Sequence, residues 1–334
     1  MLERQAGPLA RSLARRALAR PRARWSLAVL GALIALAAGA DLLASDLPLL
    51  LHMRGQLHVL PCVVRPAGLR ALDNRRIAAQ LTADDWMLLP LSPWGPNTHD
   101  LDAVLGAPSG EHWLGTDSAG RDVLARVAHG ARVSLSVGVA SVWLLSCIGL
   151  IVGLCSGYFG GVIDQVLMRV VDCLHAVPTM LLLITVLSLL RPTGATSVLA
   201  MICVIGAVRW TELSRLVRAE VLRVRQSAYV EAARGLGLGA FQILTRHVLP
   251  NVLSPVLVAA SFAMAGAVVL EGALSFLGFG VPDDVASWGS LLHEVRDHAH
   301  AWWLAVFPGS MMFLSVSASN LLGEALRDAI DPRL

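Results

Sequence analysis

The chain of 334 residues is 55% hydrophobic and 15% charged. This balance is rare in a soluble protein of the same length, because a water-exposed surface needs more charge. The formal net charge is +3, and all 27 basic residues are arginine because the sequence contains no lysine. A phosphate-binding P-loop requires a lysine, and so do Schiff-base and lysine-base catalysis, so the chain can supply none of these.

Long apolar runs recur along the chain. A helix that crosses the hydrocarbon core of a membrane needs roughly 17 to 25 mostly apolar residues. Six runs reach or approach this length, at about 26–44, 133–157, 170–190, 196–210, 252–279 and 302–323. We therefore predict an all-α integral membrane protein with about six transmembrane helices, of which the fourth is short.

The distribution of arginine predicts the orientation of these helices. Short connections on one side hold seventeen arginines, seven of them in the N-terminal tail, whereas those on the other side hold only Arg191 and Arg296. Because short, positively charged loops stay in the cytoplasm, both termini are predicted to be cytoplasmic. The first run also resembles a signal peptide, with small residues at Ala38 and Ala40. We favour an uncleaved anchor because five further runs follow, and the cleaved alternative stays open.

These runs define the predicted domain organisation. Between the first two spans lies an external segment, in which Trp86, Trp94 and Trp113 indicate a compact piece at the membrane interface. The remaining spans form a transmembrane core that is interrupted by one large cytoplasmic loop. The predicted order is tail 1–25, first helix 26–44, external segment 45–132, core 133–323 with the cytoplasmic loop 211–251, and C-terminus 324–334.

The cytoplasmic loop has the pattern of two short helices joined by a glycine turn. Residues 227–234 favour a helix, residues 240–248 favour a second one, and Pro250 is expected to end it. The apolar residues Leu236 and Phe241 exceed what contact with lipid headgroups requires. The glycines that break the first helix are Gly235, Gly237 and Gly239.

At this loop the sequence resembles a known family. Glu231-Ala232-Ala233, followed by Gly237 and then by Leu249-Pro250, is similar to the EAA signature of permease subunits in binding-protein-dependent ABC importers. The resemblance implies the type I importer permease fold, with a cytoplasmic coupling hairpin that docks on an ATPase subunit. The residues it assigns to ATPase coupling are Tyr229, Glu231, Ala232, Ala233, Gly237, His247, Leu249 and Pro250.

Further motifs resemble the dipeptide, oligopeptide and nickel branch of the family. His247 stands where the general pattern has isoleucine, as in that branch. The other matching stretches are at 112–124, 271–278, 287–289, 307–309 and 320–334, so the resemblance covers two-thirds of the chain. The long external segment is similar to the subgroup associated with uptake of oligopeptides and peptide antibiotics.

The resemblance implies a peptide permease that has no enzymatic activity and binds no cofactor itself. Its expected partners are a second homologous permease, two ABC ATPase subunits that use ATP, an external solute-binding protein and membrane lipid, without nucleic acid. The expected location is the bacterial inner membrane. Transport of nickel or another small solute, or ion-coupled secondary transport, stays open as an alternative.

Two acidic residues lie inside predicted spans, where a charge costs on the order of 3 kcal/mol. Asp172 and Glu271 could therefore line the transport path. For Asp172 we favour pairing with Arg169 or His175 at the cytoplasmic end of its helix. For Glu271, path lining and a structural hydrogen bond stay open equally.

Two other groups of residues have simpler interpretations. Three glycines of the second span recur every four residues and predict close approach of another helix. Histidines and acids between 293 and 300 form a polar cluster, but their spacing does not place three ligands on one helical face, so no metal site is predicted. The glycines are Gly149, Gly153 and Gly157.

Overall fold

The computed structural model describes residues 20–69, 72–82, 84–190 and 198–330. Arg191, most of the predicted N-terminal tail and the last four residues lie outside this part of the chain. The described residues form two compact units. One contains 20–30, 137–190, 198–269 and 315–330, and the other contains 31–69, 72–82, 84–136 and 270–314.

The protein is mostly helical, as predicted, and the segment 45–132, whose fold the sequence left open, contains a small antiparallel sheet. The sheet has the strand order β2-β1-β3, and Leu51 at its centre pairs with His58 and Met87. The elements of this region are α1 (Pro21–Ala38), α2 (Ala40–Leu43), β1 (Leu50–Met53), β2 (Gln56–Val59), α3 (Pro61–Val64), α4 (Asn74–Ala78) and β3 (Trp86–Leu88).

The sheet packs against a small hydrophobic core within the same segment. Leu51 is fully buried and packs in one cluster with Leu47, Cys62 and Ile77. Trp94 is also buried, and its ring lies 4.6 Å from the ring of His112. Trp86 and Trp113 remain about half exposed.

From Val123 onward, most of the described chain is helical. A single turn of π-helix, Leu244–Val248, connects two of the helices without a break. The helices are α5 (Val123–Phe159), α6 (Gly161–Ala176), α7 (Thr179–Leu190), α8 (Val198–Arg225), α9 (Ala228–Gly235), α10 (Ala240–Ile243), α11 (Leu249–Phe276), α12 (Trp288–Glu294) and α13 (Trp303–Ile330).

Four helices among the described residues are long and apolar enough to cross a membrane. They are α1, α5, the continuous helix from Ala240 to Phe276, and α13; α6 and α7, bent by 85°, would together make a fifth span. α8 lies at the predicted fourth span and does not meet the same criteria, because charged residues begin at Arg209, twelve residues into the helix. The count of six spans therefore stays a prediction.

The glycine repeat of the second span is confirmed as a helix-packing device. A Cβ atom placed on Gly153 would lie 2.5 Å from the Cβ of Val217, and one on Gly157 would lie 2.7 Å from the Cβ of Val221. Gly149 faces Leu213 in the same way. The three glycines thus let α5 and α8 approach until backbone and side chain touch.

Candidate coupling surface

α9 ends in a hydrogen-bonded glycine turn. The N–H of Gly237 donates to the carbonyl of Arg234 at 3.0 Å, and the N–H of Leu238 donates to the carbonyl of Ala233 at 3.2 Å. This pair of bonds is the Schellman motif, which requires a left-handed residue directly after the helix. Gly237 has that conformation, with φ of +78°. The glycine of the predicted signature therefore fixes where the helix stops and in which direction the chain leaves it.

One face of α9 anchors the hairpin to its own unit. Val230 and Ala233 are buried in a hydrophobic cluster with Val221, Ile243 and Val248. Leu238 packs against the same cluster, which supplies the apolar contact that often accompanies a Schellman motif. Ala233, which the resemblance assigns to ATPase coupling, is thus buried in the cluster that holds the hairpin.

The opposite face is apolar and exposed. Leu236 is 83% exposed, Phe241 is 78% exposed and Tyr229 is about half exposed. Glu231 and Ala232 are exposed beside them. Large apolar side chains on a hydrophilic connection are typical of a surface that another protein covers.

The second arm of the hairpin does not end at Pro250, so that expectation is wrong. Proline removes a donor and clashes with the carbonyl four residues earlier. Here the preceding turn, Leu244–Val248, widens to a π-helix, and the chain continues into α11 with Pro250 near its start. A widened turn accommodates the proline ring, as π-bulges do elsewhere. Pro250 is exposed, while His247 and Leu249 are half-buried.

Arginines tie the C-terminal half of α8 to neighbouring helices of its unit. Arg218 donates two hydrogen bonds of 2.6 Å to Asp164 of α6. Arg225 donates to the carbonyl of Tyr158, at the end of α5, at 2.9 Å. The hairpin thus begins from a helix end that is held in place. Sequence reasoning used these arginines only for orientation and missed this role.

Asp172 belongs to the same set of ties. Its carboxylate accepts a 2.6 Å hydrogen bond from Arg215, so the expected partners Arg169 and His175 are wrong. His175 instead lies 3.3 Å from the hydroxyl of Thr211. Both members of the Asp172–Arg215 pair are about half exposed.

Comparison with known proteins identifies the family. The family described as "Binding-protein-dependent transport system inner membrane component" matches residues 148–334. The chain belongs to this family. It is accordingly a multi-pass, mostly helical membrane protein that works with other components, among them a binding protein.

Curated relatives cover most of this inner membrane component. A protein named as a candidate peptide permease of Brucella suis biovar 1 (strain 1330) is 41% identical over 258 residues, which are 76% of this chain and 82% of the relative. The glutathione transport system permease protein GsiD of Pectobacterium atrosepticum is 39% identical over 239 residues, or 71% of this chain and 78% of that protein. A chain of the methionine ABC transporter MetNI in an inward-facing conformation has a TM-score of 0.49 at 18% identity, covering 60% of this chain and 96% of that chain.

Glu271 of this family member is fully enclosed by its own unit. Its carboxylate accepts hydrogen bonds from the hydroxyls of Ser134 at 2.7 Å and Ser275 at 2.9 Å. The Ser134 hydroxyl in turn accepts from the backbone N–H of Trp288 at 3.3 Å. These hydrogen bonds join α5, α11 and α12 through Glu271, and whether Glu271 also lines the path stays a prediction.

The motif before the second span folds into a buried ionic network. Asp117, which is fully buried, accepts a 2.7 Å hydrogen bond from Arg121 and lies 3.4 Å from the Nε of Arg126. His112 contacts the carboxylates of Asp122 at 3.0 Å and Asp100 at 3.4 Å. Burial raises the pKa of Asp122 above its usual value, and the hydrogen bond from His112 opposes that shift only in part.

The polar cluster of the last external loop is divided among other contacts. His293 Nδ1 lies 2.7 Å from the carbonyl of Phe276, and Glu294 accepts hydrogen bonds from Ser118 and Arg121. Among the described residues, no group of three or more histidines, cysteines and acids is arranged to hold a metal ion.

Proposed function

We propose that this chain is the permease subunit of an ABC importer that takes up peptides. One relative is named a peptide permease and another a glutathione transport permease. Glutathione is itself a small peptide, so both names point to peptide substrates. In this proposal a second, homologous permease completes the path, two ABC ATPase subunits drive transport from the cytoplasm and a solute-binding protein delivers the peptide outside.

The observation that carries the coupling role is the exposed apolar face of the hairpin. Leu236 and Phe241 project from a hairpin whose other face is buried and whose start is fixed by arginine ties. Because the hairpin is fixed to its unit on one face, a partner bound to the exposed apolar side chains would move the unit together with the hairpin. Closure of the ATPases on ATP would move this hairpin and, through α8 and α11, the membrane helices. The chain itself performs no chemistry in this scheme.

Reconstitution tests the transport activity. Proteoliposomes that contain both permeases and both ATPases, supplied with the binding protein, are expected to accumulate a labelled tripeptide only when ATP is present. Uptake driven by an ion gradient without the ATPases would point to a secondary transporter instead. ATP-dependent uptake of nickel but not of the tripeptide would make the chain a nickel permease instead.

Cross-linking tests the docking role of the hairpin. A cysteine at Phe241 is expected to cross-link to an ATPase subunit, and the yield should change when ATP binds. Leu101→Cys is a matched control, because Leu101 is 79% exposed and lies in the external segment. Equal cross-linking from both positions, or none from Phe241→Cys, would argue against docking at this surface.

A further inference from the structure

Arg209 is the first charged residue of α8, and the residues of this helix before it are apolar. It lies about 17 Å along α8 from Val198, at 1.5 Å per residue. The residue it touches in α11, Gly266, lies about 15 Å from the last residue of that helix. If α8 forms the predicted fourth span, both distances place Arg209 about half-way through a hydrocarbon core of roughly 30 Å. An ionisable residue at such a depth is costly and is typically kept for function.

The guanidinium group is held in position from two sides. Its Nη2 donates to Glu212 at 3.0 Å, one turn further along α8. Its Nη1 lies against the backbone of Gly266, where a Cβ atom would come within 2.5 Å. The hydrogen bond to Glu212 occupies one of the five N–H donors that a guanidinium carries.

Arg209 and Glu212 line a cavity whose other walls are apolar. The cavity has a volume of about 100 Å³, and its remaining lining residues are Leu145, Leu213, Leu216, Ala259 and Ala263. A space of this size admits several water molecules. It therefore fits a small polar group such as a carboxylate, and not a whole peptide.

We propose that Arg209 binds the terminal carboxylate of a peptide as the peptide passes through the membrane. The inference rests on the proposed function as a peptide permease. Arginine presents parallel N–H groups that match the two oxygens of a carboxylate, and apolar walls strengthen such a contact. Glu212 neutralises the arginine when the cavity holds no substrate. A carboxylate that enters the cavity replaces Glu212 at the guanidinium or shares the guanidinium with it. The net gain in binding free energy is therefore small, and the peptide can leave again.

The experiment compares uptake of a labelled tripeptide with uptake of the same tripeptide amidated at its C-terminus. Complete transporters in proteoliposomes carry either the original permease or Arg209→Gln, with the same saturating binding protein. Because the binding protein is common to all assemblies, its own preference cancels between variants. The ratio of uptake kcat/KM for free peptide over amide is expected to fall about tenfold in Arg209→Gln, as for loss of one charge-assisted contact.

Further variants separate this role from that of a merely structural ion pair. Glu212→Gln should retain or raise the preference for the free peptide, since it leaves the guanidinium available. A structural pair would make Glu212→Gln and Arg209→Gln behave alike. Arg223→Gln is the matched control, because Arg223 also pairs with a glutamate three residues away, Glu220 at 2.7 Å, near the end of the same helix. This control should keep the original ratio.

Each outcome decides one point. An unchanged ratio in Arg209→Gln overturns the inference, even if total uptake falls. Should Arg209→Gln not assemble, Arg209→Lys replaces it, and the ratio is then expected to fall by less, because the charge remains without the paired donors. Failure of the original transporter to take up either peptide with ATP would instead overturn the proposed function.

Discussion

The buried ionic network before α5 and the hairpin formed by α9 and α10 are built in opposite ways. In the network, charged side chains are buried and matched to one another, as with Asp117, Arg121 and Arg126. In the hairpin, apolar side chains are exposed, as with Leu236 and Phe241. Buried charges and exposed large apolar side chains both depart from the usual distribution of residues in a folded protein.

The difference separates a feature that serves the chain itself from one that serves a partner. Buried ions that find partners within their own unit stabilise a local structure without the help of another protein. Exposed apolar groups gain free energy only when something covers them. Substitutions should therefore reduce the stability of the folded chain most in the network and least on the hairpin face.

The largest loss of stability is expected for Asp117→Ala. This substitution leaves Arg126, which is 1% exposed, without its carboxylate at 3.4 Å. Two nitrogens of Arg126 already have no hydrogen-bond partner among the described residues, so no substitute is at hand. Removing one member of a buried ion pair costs roughly 3 to 5 kcal/mol. The measurement is the thermal unfolding midpoint of the detergent-solubilised permease.

Glu111→Ala provides the control for this substitution. Glu111 lies in the same external segment and is exposed. Its removal should change stability by no more than about 0.5 kcal/mol. If both variants unfold at the same temperature, the buried network is not what holds this region.

An intermediate loss is expected for Gly153→Ala. The added methyl group would lie 2.5 Å from Val217 and 2.7 Å from the carbonyl of Ser214, so α5 and α8 must separate. Overpacking of this kind typically costs about 1 to 3 kcal/mol. Gly31→Ala in α1 is the matched control, because nothing lies within 4 Å of its added atom. Equal midpoints for the two variants would contradict the tight contact.

A smaller loss is expected for Gly237→Ala. The space around Gly237 is open, so its φ of +78° is the whole source of the cost, about 1 kcal/mol. Transport should fall further than stability does, because α9 would end in a changed direction. Gly235→Ala is the control, since Gly235 lies in the helix with open space around it, and alanine favours helix. Loss of ATP-driven uptake in both variants would remove the special role of the glycine turn.

Gly153 and Gly237 also show how far the sequence alone predicts this molecule. The repeat containing Gly153 and the break at Gly237 were predicted correctly, because spacing along one helix and glycine after a helix are local signals. The broken helical pattern of the hairpin and the apolar residues on it were visible for the same reason.

Features that depend on distant contacts were not predictable. The hairpin between β1 and β2 turns at Arg54 and Gly55, both with positive φ, and arginine is not a usual residue there. The backbone N–H of Arg54 donates a hydrogen bond to the carboxylate of Asp85, 31 residues away. Asp172 likewise pairs with Arg215, 43 residues away, whereas the sequence displays only neighbours one turn apart.

The candidate binding residue Arg209 was missed for a related reason. In the sequence it marks the point where the apolar run stops, so it was counted with the cytoplasmic loop. The structure continues α8 through Arg225, which leaves Arg209 in the middle of the helix and facing a cavity. Arginines on the later turns find acidic partners on α6, and these contacts let the helix extend.

The smallest loss of stability is expected for the double substitution Leu236→Ser and Phe241→Ser. Both side chains are about four-fifths exposed, so the unfolding midpoint of the isolated permease should shift by no more than about 0.5 kcal/mol in equivalent free energy. Affinity for the ATPase subunits should nevertheless fall at least about tenfold, since apolar anchors at an interface each contribute roughly 1 to 2 kcal/mol or more. Titration of purified ATPase against the two permease forms measures this change. A fall in the unfolding midpoint comparable to that of Asp117→Ala would mean that the chain itself covers these side chains, and the contrast between a self-sufficient region and a partner-facing region would then fail.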